Sequence, residues 1–101
     1  GEKSMTLAIP DTMTVRRGER ATLRVGIDRE NTTEPVTVSI WQLPDGVSAE
    51  NTSKTVETDS ATFLLEASES AGLVTNHALA VSLESERGTE TTGHVRLTVK
   101  E

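Results

Sequence analysis

Apolar residues in this chain recur at every second position, in short runs separated by clusters of Gly, Pro, Asn, Asp and Ser. Period two is the signal of strands, because successive side chains of an extended backbone point to opposite faces. Met5, Leu7 and Ile9 open the pattern, Pro10 and Asp11 interrupt it, and Met13 and Val15 resume it. That interruption, "IPDT", predicts a first strand divided between two sheets. "RRGE" at 16–19 reads as a turn, after which Ala21, Leu23, Val25 and Ile27 form the clearest stripe. "DRENTTEP" at 28–35 reads as a polar loop leading to Val36, Val38 and Ile40. In "LPDGV", Pro44 fixes φ and Gly46 is available for positive φ, so the chain turns there and Leu43 and Val47 swing inward. The stretch 48–60 is weakly patterned; it predicts a crossing between sheets with one short strand near 54–57. Phe63, Leu65 and Ala67 make the next stripe, and His77, Leu79, Val81 and Leu83 the one after. A hairpin around Gly88 leads to the last, Val95, Leu97 and Val99.

No segment sustains a helical period. Short strands with turn signals about every ten residues predict an all-β domain, an immunoglobulin-like antiparallel β-sandwich of seven to eight strands. Residues 5–101 form one such domain, and residues 1–4 read as a linker or a start left by cleavage. Phe63 and Trp41 are the only Phe, Tyr or Trp residues, and 34% of the chain is apolar. Small and β-branched residues suit a thin core between two sheets. With no cysteine there is no disulfide, thiolate metal site or nucleophilic thiol. The net charge of −6 repels phosphate backbones and argues against nucleic acid as a partner. No apolar run approaches the roughly 20 residues of a membrane span, so no membrane insertion by this domain is expected. No signal peptide is visible; the expectation is that one was trimmed from the parent.

Three stretches carry a resemblance. "MTVRRGERATLRVGI" is similar to the strand–turn–strand opening of bacterial immunoglobulin-like domains, "PVTVSIWQLPDGVSAE" to a strand running into Leu-Pro-x-Gly-Val, and "HVRLTVKE" to the closing strand. The chain departs from antibody-type domains in lacking paired cysteines and a tyrosine corner. Its "ASESAGLVTNHALAV" is also a longer approach to a strand than the group usually has. The resemblance implies a non-catalytic spacer, stalk or protein-interaction module of a larger secreted or cell-surface bacterial protein, located outside the cell, on its surface or in the periplasm. The partners it implies are neighbouring domains of the same chain or another surface protein.

The residues offer little chemistry of their own. A nucleophilic triad needs an imidazole, and His77 and His94 are the only two. His94 shares parity with Arg96 and Lys100 and is expected to face solvent. His77 shares parity with Leu79, Val81 and Leu83 at the entry of a strand, where a polar ring can pack inward and bond a corner backbone group. No spacing of histidines suits a transition metal, and no cofactor is expected. Asp28, Glu30 and Glu34, with Asn31, crowd one loop as weak candidates for calcium, without the spaced pattern of a strong site. Asn31-Thr32-Thr33 and Asn51-Thr52-Ser53 match the N-glycosylation sequon, chance matches in a bacterial-type module that agree with surface loops.

Trp41 remains the position of interest. Strict alternation turns it outward beside Thr37 and Ser39, either as a cover over the open end of the core or as an exposed contact residue. Two alternatives to the spacer follow: a carbohydrate-binding accessory module of an extracellular enzyme, or a calcium-stabilised adhesion module. Sugar recognition usually stacks pyranose faces on two or three coplanar rings, a platform this chain cannot build.

Overall fold

The computed structural model describes residues 4–101. They form nine strands and no helix: β1 (Ser4–Ala8), β2 (Thr12–Arg16), β3 (Arg20–Glu30), β4 (Val36–Trp41), β5 (Val47–Ala49), β6 (Ser53–Val56), β7 (Ser60–Ala67), β8 (Val74–Ser85) and β9 (Glu90–Lys100). A first sheet has the order β1-β3-β7-β5 and faces a second of order β2-β9-β8-β4-β6, giving an all-β, sandwich-like domain. Between them lie the inward stripes, with Phe63 the largest fully buried side chain and Leu23, Leu65, Leu79, Leu83 and Leu97 around it.

The expected break in the first strand is present. β1 pairs with β3, the chain crosses at Ile9–Asp11, and β2 pairs with β9 in the second sheet. Because the crossing does not reverse direction, β2 runs parallel to β9, which corrects the expectation of a wholly antiparallel fold.

Two further expectations change. The stretch 48–60 holds two strands, not one, which brings the count to nine. β5 pairs with the first sheet through Val47↔Ala67, and β6 with the second through Ser39↔Ser53. β6 is the short strand expected near 54–57, and β5, the one not expected, has three residues, too few for alternation to register. The loop expected at 28–35 begins only at Asn31, whose φ of 59° ends the strand. Asp28, Arg29 and Glu30 still pair, with Thr6, Met5 and Ser4 respectively. Ser4 thus belongs to β1; the linker reading otherwise falls on residues 1–3, outside those described.

Edge strands are kept short, which limits unwanted pairing with other chains. β6 adds an inward lysine: Lys54 Nζ donates to the Thr62 carbonyl and sits 5.5 Å from the Phe63 ring centroid. A charge aimed into the sandwich is a known guard of an edge.

The body is elongated, 49 × 21 × 17 Å, with a radius of gyration of 14.3 Å, against about 13 Å for a compact domain of this length. The register shows which residues lie at which end. Ser4 pairs with Glu30, near the β8–β9 hairpin, whereas Arg16 pairs with Lys100 at the other end. The first and last described residues therefore leave at opposite ends of the long axis.

Candidate functional site

Trp41 ends β4, and its register neighbour on β8 is Ala80. Ala80 in turn pairs with His94 on β9. Ala80 points to the solvent side of the sheet, between inward Leu79 and Val81, yet it is only 1% exposed. Two rings flank it in register, and they are wide enough to roof a methyl group. Trp41 itself keeps 42% of its surface in water. By register it lies beside Ala80 on the outer face. Beyond it, Leu43 packs against the core and Val47 is buried. His94 is exposed, as its parity predicts.

The rest of this face is polar and hydroxyl-rich. Thr37 and Thr55 share a hydrogen bond of 2.9 Å between their hydroxyls, and Ser39 Oγ donates to Ser53 Oγ at 3.2 Å. These are cross-strand pairs that fasten β6 to β4.

His77 sits where parity puts it and does what a corner residue does. Its Nε2 donates to the carbonyl of Gln42 at 2.6 Å. Gln42 has φ of 65°, and this left-handed turn aims its carbonyl at β8. On the other side, a register shift between Val74 and His77, with Asn76 at φ 53°, re-aims the ring. The imidazole thus ties the start of β8 to the exit of β4. His77→Ala is expected to lower stability by about 1 kcal/mol, the net worth of one such bond. Urea denaturation of the two proteins checks it, with the slope of the transition unchanged.

The calcium candidates are not gathered. Asp28 and Glu30 project from the exposed face of β3, and Glu30 Oε2 accepts from Ser4 Oγ at 3.4 Å. Glu34 lies on the β3–β4 loop, 3.5 Å from Arg87 Nε of the hairpin. Among the described residues no three His, Asp or Glu side chains converge as a metal set. A groove of about 290 Å³ opens on the outer face of the first sheet, lined by Arg20, Ser48, Ala49, Glu50, Leu64 and Glu66. Its walls are an exposed ion pair, Arg20 Nε to Glu66 Oε2 at 3.8 Å, and an exposed leucine, Leu64. An exposed pair of this kind holds little energy, and the lining contains neither a histidine nor a nucleophile–base pair.

The residues that sequence reasoning missed are architectural, and they close the two ends. At the hairpin end Arg29, whose side chain is 6% exposed, donates through Nη1 to the Glu34 carbonyl and through Nη2 to Thr58 O at 2.9 Å and Val56 O at 3.4 Å. Parity was the available signal, since position 29 continues the inward series 21, 23, 25, 27. At the opposite end Gly18 N donates to Ala67 O at 2.8 Å, Ser68 N to Gly46 O at 2.9 Å, and Arg17 Nε to Ala71 O at 2.8 Å. Three loops are stitched into one cap. No protein-family model matches the chain, and no curated protein matches it either.

Proposed function

We propose that this chain is a non-catalytic, immunoglobulin-like spacer or protein-contact module of a larger secreted or cell-surface protein of bacterial type. The observation that carries the reading is mechanical. A rod 49 Å long takes the chain in at one end and releases it at the other, which is the geometry for holding neighbours apart in a line. Each end is tied by backbone hydrogen bonds from buried or half-buried arginines, so the rod is stiff where a neighbour would pull.

The strand order supports the immunoglobulin-like part. The order β1-β3-β7-β5 facing β9-β8-β4-β6, with β2 beside β9, is similar to that of an immunoglobulin sandwich. One exchange distinguishes it: β5, at the edge of the first sheet, precedes β6, at the edge of the second, so the chain visits the two edges in reversed order. The absence of cysteine is compatible with this arrangement, because apolar side chains fill the core, Phe63 the largest of them.

Two copies joined end to end test the reading by small-angle X-ray scattering. A maximum dimension roughly twice the single 49 Å rod is the expected result, and a folded-back, compact pair would overturn it. Retention of the chain on a polysaccharide, lost in Trp41→Ala with the fold intact, would overturn it in favour of a carbohydrate-binding module.

A further inference from the structure

One edge of the second sheet is left open. β2 lies beside β9 only from Thr12↔Arg96 to Arg16↔Lys100, because the chain crosses between the sheets at Ile9–Asp11. From Glu90 to His94, β9 therefore has a neighbour, β8, on one side alone. The bonds at either end show where its backbone groups point. Arg96 N donates to Asp11 O at 2.9 Å and Arg17 N to Lys100 O at 2.8 Å, so even-numbered residues of β9 turn toward the β2 side. Ser85 N to Thr89 O, at 2.8 Å, begins the ladder with β8, which the odd-numbered residues continue. The N–H and C=O groups of Thr92 and His94 thus face outward, and no strand among the described residues takes them up. The open stretch, Glu-Thr-Thr-Gly-His, contains neither the lysine nor the proline that commonly guards an edge.

Two further features say what would fill this edge. A Cβ at Gly93 would stand 2.9 Å from Ile9 Cδ1 and 3.7 Å from Leu7 Cδ1, so both apolar side chains lie against the open stretch. Both are only half-buried, and the inward side chains of an added strand would cover them. The second feature is charge. Segments 28–34, 57–59 and 84–90 meet at this end of the rod and carry eight acids against Arg29 and Arg87, a net −6 that equals that of the whole chain. Arg29 is committed to three carbonyls, and Arg87 stands 3.5 Å from Glu34. A second copy pairing through β9 would bring two such poles together, whereas a cationic strand is attracted by one.

We propose that the open edge of β9, centred on Thr92 and His94, takes up an extended segment of a partner protein in which apolar and basic residues alternate. The segment continues the line of β2 as an added strand. Main-chain bonds to Thr92 and His94 fix its register, and its apolar side chains pack on Leu7 and Ile9. Its basic side chains lie on the outer face, where Glu90 and its register partner Glu84 stand together. The proposal rests on the protein-contact part of the reading above and names the chemistry of the partner.

A capped peptide of alternating lysine and valine, as long as the open stretch, is the probe. Added to the isotope-labelled chain, it should slow hydrogen exchange of the Thr92 and His94 amides roughly tenfold. A peptide of the same charge with proline in place of valine should bind about tenfold more weakly, because it lacks donors for the edge. Thr92→Pro, which removes an outward donor and leaves the odd-numbered bonds to β8, should weaken binding similarly. Glu90→Lys should weaken it about fivefold at low salt and less at high salt. The exchange and proline-peptide measurements need no variant. No binding, equal binding of the proline peptide, or unchanged exchange at Thr92 and His94 would sink the proposal. Self-association of the free chain that is lost in Thr92→Pro would show that the edge serves a second copy instead. None of these results alters the length of a tandem pair, so the rod reading is judged separately.

Discussion

Gly46→Ala is expected to destabilise the domain by about 4 kcal/mol, while Gly88→Ala costs about 1 kcal/mol. Both glycines have positive φ, 86° and 90°, so both substitutions force an L-residue into a region it rarely adopts. They differ in what a methyl group would meet. At Gly88 nothing lies within 4 Å of the new Cβ, whereas at Gly46 the Cα and Cβ of Ala71 lie 2.6 and 2.7 Å away. The obstacle is backbone, not the end of a flexible side chain. It is also held in place: Ser68 N donates to Gly46 O, Ala71 N to Ser68 O, and Arg17 Nε to Ala71 O. Relief requires the 68–73 loop to lift from the β4–β5 turn, undoing the cap at that end. Since small domains have only about 5–15 kcal/mol in hand, the midpoint should fall by roughly 20 °C for Gly46→Ala and about 5 °C for Gly88→Ala. Equal losses in the two variants would show that backbone conformation alone sets the cost and that the contact with Ala71 is slack.

Sequence and structure agree where a strand is long and one face is buried. In β3, β7 and β9 alternation named the inward residues correctly, because a shift of one position would expose the whole stripe. The turns at Gly18, Gly46 and Gly88 were legible for a related reason, since positive φ leaves few residue choices. His77 was legible by parity alone, although its acceptor, the Gln42 carbonyl, depends on a backbone turn that no residue type announces. What stayed hidden was set by partners far away in sequence. β5, unlike the short strand expected near 54–57 that became β6, exists because β7 offers it an edge, and the loop candidates Asp28 and Glu30 are held in β3 by β1. The neighbourhood of Trp41 needed the register as well: Ala80 and His94 lie 39 and 53 positions away.

Arg29→Ala should cost about 4 kcal/mol, and Arg29→Lys should recover less than half of that. Arg29 stands at an inward position of β3, where its neighbours in the series are Ile27 and Val25. An arginine there is tolerated because the guanidinium reaches the open end of the sandwich and satisfies three carbonyls at once. These are Glu34 on the β3–β4 loop, Val56 at the end of β6 and Thr58 in the turn before β7. Removing the donors leaves those acceptors without partners in a half-buried site and opens a gap beside Met5, the register partner of Arg29. Lysine carries one ammonium on a flexible stem and cannot fork between two loops. The ion pair with Asp59 is the lesser part, because Nε stands 3.5 Å from Asp59 Oδ1 without hydrogen-bond geometry and the aspartate is 83% exposed. Asp59→Asn should therefore change stability by no more than about 0.5 kcal/mol. Urea unfolding of the three variants separates the two roles. A large loss in Asp59→Asn, or full recovery by lysine, would mean that charge and not the fork of carbonyl bonds closes this end of the rod.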